Sequence, residues 1–173
     1  MIISNLMNQA LNEQMGNEFA ASLQYVAIAA YFDTESLPQL AAHFYRQAVD
    51  ERDHAMRVVR YVVSAGGRVD IPAIPDARNR FDTAEAAVQR ALDGETEVTR
   101  QINALVDLAI QEKDHITHNA LQWFVTEQLE ELASMETLLR IVQRAGESGL
   151  LHVEEYLARR ANAAPPAPTM STE

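Results

Sequence analysis

The chain has 173 residues, of which 47% are hydrophobic, and it contains 6 Gly, 6 Pro and no Cys. This length favours one domain with a single buried core, and the missing thiols exclude disulfides, iron–sulfur clusters and cysteine-based zinc sites. The 25 acidic residues outnumber the 14 basic residues, and the net charge of −11 argues against nucleic acid and favours cations as partners. The N-terminus carries no basic residue and no apolar run reaches membrane-spanning length, so we expect a cytoplasmic protein with no membrane partner.

Two long helices are predicted in the first part of the chain, where apolar residues recur at helical spacing. The first covers residues 4–32, with Ser4 or Asn5 as its cap. The second begins at Pro38, because proline is tolerated in the first turn of a helix. It ends near Gly66, since glycine is the residue that most often follows a helix.

Two more long helices follow one long connection. The connection covers residues 68–80 and holds two prolines, so it is predicted to be mostly extended. The third helix is predicted to end near residue 112 and the fourth near residue 144, with a short turn between them. Short links make the helices of each pair antiparallel, and the long connection can travel the length of a bundle. The predicted fold class is therefore all-α, a four-helix bundle with one long crossover.

The C-terminal part of the chain has a different composition. A short fifth helix is predicted at about residues 148–160, and the Ala- and Pro-rich end is predicted to be disordered. The predicted organisation is a bundle domain at 1–146, a C-terminal helix at 147–162 and a disordered tail at 163–173.

Four glutamates interrupt the apolar stripes of the four long helices, one on each: Glu18, Glu51, Glu95 and Glu131. His54 follows Glu51 by three residues and therefore lies on the same helix face. A single core glutamate is most often a structural group with a hydrogen-bond partner. One acid on each of four helices, together with a Glu-x-x-His unit, is the pattern by which helix bundles hold two metal ions.

The charge of these acids requires a partner. Each ionised carboxylate in an apolar core costs on the order of several kcal/mol unless it is compensated, and no Lys or Arg lies near the acids on these stripes. Two divalent ions would supply +4 against −4 from the glutamates, with His54 neutral. Oxygen-rich ligation with one imidazole favours iron or manganese over structural zinc. Glu51 is the predicted bridge that holds the ions close enough to bind O₂ between two Fe(II).

The segments around these acids resemble the ferritins, specifically the haem-free bacterial type, over about residues 1–160. The matching motifs are Asn17-Glu18-Phe19 with Tyr25 seven residues later, Glu51-Arg52-Asp53-His54-Ala55-Met56, Glu95 ahead of Val98-Thr99, and Gln122-Trp123-Phe124-Val125-x-Glu127-Gln128-x-Glu130-Glu131. They combine residue types, spacing and helix order. The resemblance implies a ferritin-like four-helix bundle with one long crossover and a short fifth C-terminal helix.

The resemblance also implies roles for individual residues. The implied ligands of the first ferroxidase iron are Glu18, Glu51 and His54, and those of the second are Glu51, Glu95 and Glu131. Gln128 would lie beside the pair. Tyr25 is similar to the tyrosine that neighbours this site in ferritins, where it either donates an electron or hydrogen-bonds a ligand. On spacing alone, a core tyrosine with a bonded hydroxyl is the more frequent case.

Three further acids could form a third iron position. Asp50, Glu127 and Glu130 are each displaced by one residue from a predicted site position, as the acids of a third iron site are in some bacterial ferritins. The alternative is that all three are solvated acids on the surface of the bundle, and the sequence does not separate the two interpretations.

The resemblance predicts an iron-storage ferritin that oxidises Fe(II) with O₂ or H₂O₂ and deposits ferric mineral in a hollow shell of 24 identical subunits. No haem is expected. Bacterioferritins carry a second Glu-x-x-His on the fourth helix, where this chain has Glu127-x-x-Glu130 or Gln128-x-x-Glu131, without His. They also have a haem-ligating Met at the subunit dimer interface, whereas residue 52, beside the bridging glutamate, is Arg. Two alternatives remain: a soluble di-iron oxidase or peroxide-detoxifying protein without mineral storage, and a purely structural bundle.

Overall fold

The computed structural model describes residues 2–163, so the predicted tail lies outside the described residues except for Ala163, which is the last residue of a helix. The helices are α1 (Asn5–Thr34), α2 (Pro38–Ser64), α3 (Ala84–Gln111), α4 (His115–Ala145) and α5 (Leu150–Ala163), with a 3₁₀ turn at Glu147–Gly149. The prediction of four long helices and a short fifth is confirmed. No helix in the described range is both long and apolar enough to cross a membrane.

Most of the long helices carry their own N-terminal cap. The capping side chains, each accepting a backbone N–H of the first turn, are those of Ser4, Thr83 and Asp114. Helix α2 has no such cap and begins with Pro38. Its free N–H groups are satisfied from α5 instead, because the buried carboxylate of Glu154 accepts from Gln39 N at 2.7 Å and Leu40 N at 2.9 Å. This contact fixes α5 against the end of the bundle.

The hydrogen bonds at the start of α1 determine the topology. Ile2 N donates to Ala65 O at 2.8 Å, just after α2 ends. Ser4 Oγ donates to Glu112 Oε1 at 2.7 Å, just after α3 ends. Helices α2 and α3 therefore end at the same end of the bundle and run parallel. The connection between them must return along the full length of the bundle, which confirms the single long crossover.

The crossover packs along α1. The Gln24 side chain accepts from Arg78 N and donates to Arg78 O, both at 2.9 Å. Further along, Gly16 faces Pro72 so closely that a Cβ on the glycine would lie 2.3 Å from Pro72 Cγ. A side chain at residue 16 would push the crossover away from the helix, which explains why α1 has a glycine in its interior despite the cost in helix propensity.

The core consists of two apolar clusters, one towards each end of the bundle. On α1 the first cluster extends to Met15 and the second resumes at Tyr25, with Glu18 between them. On α4 one cluster extends to Phe124 and the other resumes at Met135, again with buried polar residues between them. The same change of cluster occurs on α2 and α3. A polar layer thus crosses the middle of the bundle.

Candidate metal centre

The predicted ligands form this polar layer. Their side chains are almost fully buried, with exposures of 1% for Glu18 and Glu51, 2% for Glu95, 5% for His54 and 7% for Glu131. Ligand atoms within 4.8 Å of one another form two sets: Glu18, Glu51 and His54 in one, and Glu51, Glu95 and Glu131 in the other. Glu51 is common to both sets, so it is the residue that could contact two adjacent cations.

Several carboxylate oxygens in the layer have no hydrogen-bond partner. Gln14 Nε2 donates to Glu18 Oε1 at 2.8 Å, and His54 Nδ1 lies 3.2 Å from Glu51 Oε2. Among the described residues, Glu18 Oε2, Glu51 Oε1 and Glu131 Oε2 are buried and unpartnered. No described Lys or Arg lies within 4.0 Å of these carboxylates. A buried, unpaired oxygen costs about 1–3 kcal/mol, more when charged, and divalent cations would complete this donor set.

The pKa values respond to this crowding of acids. Burial, followed by the charges of Glu51 and Glu95, raises the pKa of Glu131 to about 11. Burial, followed by the charges of Glu95 and Glu18, also raises the pKa of Glu51 well above its ordinary value. The pKa of Glu18 is raised by burial as well, although the hydrogen bond from Gln14 opposes the shift. Metal binding must therefore displace protons from the layer, and metal affinity should increase with pH.

Two further residues hold Glu95. The Tyr25 hydroxyl donates to Glu95 Oε1, and Gln128 Nε2 donates to Glu95 Oε2 at 3.1 Å and to Thr99 Oγ1 at the same distance. Burial and then the charge of Glu95 raise the pKa of Tyr25 well above its ordinary value, so the phenol keeps its proton. Both residues contact Glu95, one of the predicted ligands.

Aromatic rings enclose His54. The Trp123 ring meets the imidazole edge-on with centroids 5.2 Å apart, and Phe124 does so at 6.2 Å. The guanidinium of Arg57 lies 4.0 Å above the Trp123 ring and fixes it by a cation–π contact. His54 Nε2 points towards Glu131, with Oε1 at 3.8 Å. The ring is thus oriented by packing on one side and by carboxylates on the other.

The three acids of the possible third iron position differ in burial and in their distance from the metal centre. Glu127 is half-buried and joins His54 and Glu131 in a third set of ligand atoms within 4.8 Å of one another. Asp50 and Glu130 are exposed and belong to none of the three sets found in the described part of the chain. Asp50 does line a cavity of about 390 Å³ together with Glu127 and His54.

Gln14 contacts the metal centre but is not among the residues predicted from the sequence. It is 2% exposed and donates to Glu18 Oε1, one helical turn further along α1. The available signal is its spacing, because Gln14 precedes Glu18 by four residues and thus shares its face. A buried glutamine one turn before a buried glutamate is placed to orient that carboxylate.

Comparisons with known proteins agree with this geometry. A family model described as the ferritin-like domain matches residues 8–145. The chain is 48% identical over 159 residues to the ferritin BfrB of Mycolicibacterium smegmatis, which covers 92% of this chain and 87% of that protein. It is 36% identical over 156 residues to the bacterial non-heme ferritin of Staphylococcus aureus, covering 90% of this chain and 93% of that protein.

Solved structures give the same result. The open pore ferritin of the archaeon Archaeoglobus fulgidus superposes with a TM-score of 0.87 at 36% identity, over 90% of this chain and 96% of that one. Fold, buried acids and sequence relatives coincide over most of the chain, which therefore belongs to the ferritin family. The resemblance inferred from the motifs is confirmed.

Proposed function

We propose that this chain stores iron and that it oxidises Fe(II) to Fe(III) at the metal centre in the middle of its bundle. The observation that carries the proposal is the position of Glu51 in both ligand sets, with buried oxygens on three glutamates still unpartnered. Family membership supports iron as the cation. Carboxylate-rich ligation with a single imidazole also suits iron.

Each of the two ligand sets would hold one Fe(II) substrate. Glu18 and His54 would hold one ion, Glu95 and Glu131 the other, and Glu51 would bridge them. Each Fe(II) gives up one electron, and O₂ takes two electrons and two protons to become H₂O₂. H₂O₂ can likewise accept two electrons from a further pair of Fe(II), together with two protons, and form two molecules of water. The protein supplies oriented ligands and a site enclosed by the bundle, while the metal carries the redox chemistry.

Three side-chain contacts would position ligands for this reaction. Gln14 donates to one oxygen of Glu18 and leaves Oε2 for the metal. Gln128 and Tyr25 each donate to one oxygen of Glu95. Because Tyr25 keeps its proton, it can hold Glu95 as a hydrogen-bond donor.

The proposal includes assembly as a homo-oligomer, the 24-subunit shell that family membership implies, with ferric mineral inside. The net charge of −11 per chain would concentrate cations at such a shell. A chain without cysteine suits a reducing compartment, so the proposed location is the cytoplasm. We propose no haem, because residue 52 is Arg rather than Met and the fourth-helix units Glu127-x-x-Glu130 and Gln128-x-x-Glu131 contain no His.

Size-exclusion chromatography combined with iron loading tests the storage function. The expected result is a large particle that takes up hundreds of irons per shell and shows no haem absorbance. A particle that oxidises Fe(II) but retains only a few ions per chain would instead support the alternative of an oxidase without mineral storage. A cavity of about 250 Å³ beside Tyr25, also lined by Asn17 and Glu97, is where an organic substrate of that oxidase would bind.

The third ligand set makes a prediction about an additional iron. Glu127→Ala should lower the Fe(II) bound per chain by about one under anaerobic conditions, because Glu127 completes the set with His54 and Glu131. Glu130→Ala is the matched control, since this exposed acid three residues away belongs to no set and its loss should leave the count unchanged. Equilibrium dialysis with Fe(II) measures both. An unchanged count in Glu127→Ala would eliminate the third position.

A further inference from the structure

A second cavity lies apart from the metal centre. It has a volume of about 430 Å³ and is enclosed by α2, α4 and α5. The ionisable or hydroxyl-bearing residues that line it include His43, Arg46, Ser134, Tyr156 and Arg160. No Asp or Glu is among the described residues around it, although the chain has 25 acids. A basic cavity in an acidic protein indicates a ligand of negative charge.

The two arginines of this cavity have no acid to pair with among the described residues. Arg46, Arg160 and Arg140 are all exposed, but no described carboxylate lies within 4.0 Å of Arg46 or Arg160, whereas Arg140 on α4 pairs with Glu136 at 3.0 Å. Arg160 Nη1 instead donates to the Tyr156 hydroxyl at 3.3 Å. That hydroxyl accepts in this bond, so its own hydrogen is free to point into the cavity.

His43 contributes a buried and unpartnered ring nitrogen. Its Nε2 atom has no hydrogen-bond partner among the described residues. Burial, followed by the charges of Arg46 and Arg160, lowers the pKa of His43 to about 4. The imidazole is therefore neutral near pH 7, and in the tautomer with the proton on Nε2 it donates without adding charge.

The position of Arg160 depends on the docking of α5. Glu154, six residues earlier on the same helix, caps α2 through two backbone N–H groups. This contact fixes α5 on the bundle, so that Arg160 lines the same cavity as Arg46 of α2. An anion bound in a cavity lined by two positive charges reduces their mutual repulsion.

We propose that this cavity binds a phosphate group. Near pH 7 a phosphate group is an anion whose oxygens accept more hydrogen bonds than it donates, which matches a lining of two guanidinium groups, a phenol, an imidazole N–H and the hydroxyl of Ser134. A guanidinium group can donate two parallel hydrogen bonds to phosphate oxygens, and its positive charge strengthens both bonds. Leu138 and Leu157 form an apolar wall beside these donors, where the organic part of a phosphate monoester would lie.

Isothermal titration calorimetry of the full-length, iron-free protein with inorganic phosphate tests the proposal at pH 7 and constant ionic strength. We expect about one phosphate per chain in the wild-type protein. Arg46→Gln and Arg160→Gln should each weaken binding about tenfold or more, because each removes a charged donor. Arg140→Gln is the matched control: it removes the same charge from α4 outside the cavity and should bind as the wild-type protein does, within about twofold.

A parallel titration with glycerol phosphate separates free phosphate from a phosphate monoester as the source. Tighter binding of the monoester assigns the apolar wall to an organic group, and tighter binding of inorganic phosphate assigns the cavity to the free ion. The proposal is overturned if neither ligand gives saturable binding, or if Arg140→Gln weakens binding as much as the two cavity variants. Because the test uses iron-free protein, its outcome does not depend on the proposed iron chemistry.

Discussion

Glu51→Gln is expected to abolish fast Fe(II) oxidation. The substitution keeps the volume of the side chain but replaces the only carboxylate that belongs to both principal ligand sets with an amide that cannot bridge two cations. Even residues that only support metal ligands change activity or affinity by about 10–100-fold when mutated, so loss of the bridge should lower the initial rate by at least about 100-fold. Stopped-flow absorbance after mixing iron-free protein with Fe(II) in air measures the rate.

The control for this variant is Glu97→Gln. Glu97 is exposed on α3 and pairs with Arg100 at 2.6 Å, so the same change there should leave the rate within about twofold of the wild-type protein. Thermal unfolding of the iron-free proteins shows whether both variants fold. A folded Glu51→Gln variant that oxidises Fe(II) at the wild-type rate would contradict the assignment of a bridging ligand.

Glu131→Gln is expected to stabilise the iron-free protein increasingly as the pH rises. The folded-state pKa of Glu131 is raised to about 11 from an ordinary 4.5. Between these values the folded chain holds a proton that the unfolded chain has lost, so the stability contribution is complete below the unfolded pKa and decreases as pH increases. Each pH unit changes the free energy of unfolding by up to about 1.4 kcal/mol for one such group.

Over the three pH units from pH 5 to pH 8, we therefore expect the advantage of the variant over the wild-type protein to grow by up to about 4 kcal/mol. Chemical denaturation at several pH values measures the difference. With a redox-inert divalent cation bound, the wild-type protein should become more stable than the variant, because only the wild-type carboxylate can ligate the cation as an anion. If the variant loses several kcal/mol at every pH without metal, Glu131 would instead be a structural group with a satisfied partner, and the charge argument would fail.

The sequence predicts the helices and the buried acids well because both depend on local spacing. Pro38 begins α2 and Gly146 ends α4 as predicted, and the predicted turn between α3 and α4 lies at Lys113, whose φ is 56°. Glu131 and Gln128 are buried because they share a face with apolar neighbours. Periodicity fixes which face a residue occupies, and a helix face that is otherwise apolar must point into the bundle.

Helical periodicity does not predict contacts between segments that are distant in the sequence. The capping of α2 by Glu154 joins residues more than a hundred positions apart, and no local sequence pattern predicts it. The difference between Glu127 and Glu130 also depends on how α4 packs against α2, since both acids are displaced from the core stripe. The cavity around His43 arises in the same way, from three helices that meet only in the folded chain.

Anomalous diffraction at the iron edge, from a crystal of the full-length protein soaked anaerobically with Fe(II), tests the central claim most directly. We predict two strong peaks per chain inside the bundle, one among Glu18, Glu51 and His54 and one among Glu51, Glu95 and Glu131, with Glu51 contacting both. Iron found only on the surface of the bundle, or one ion in the middle that Glu51 does not contact, would contradict the dinuclear centre.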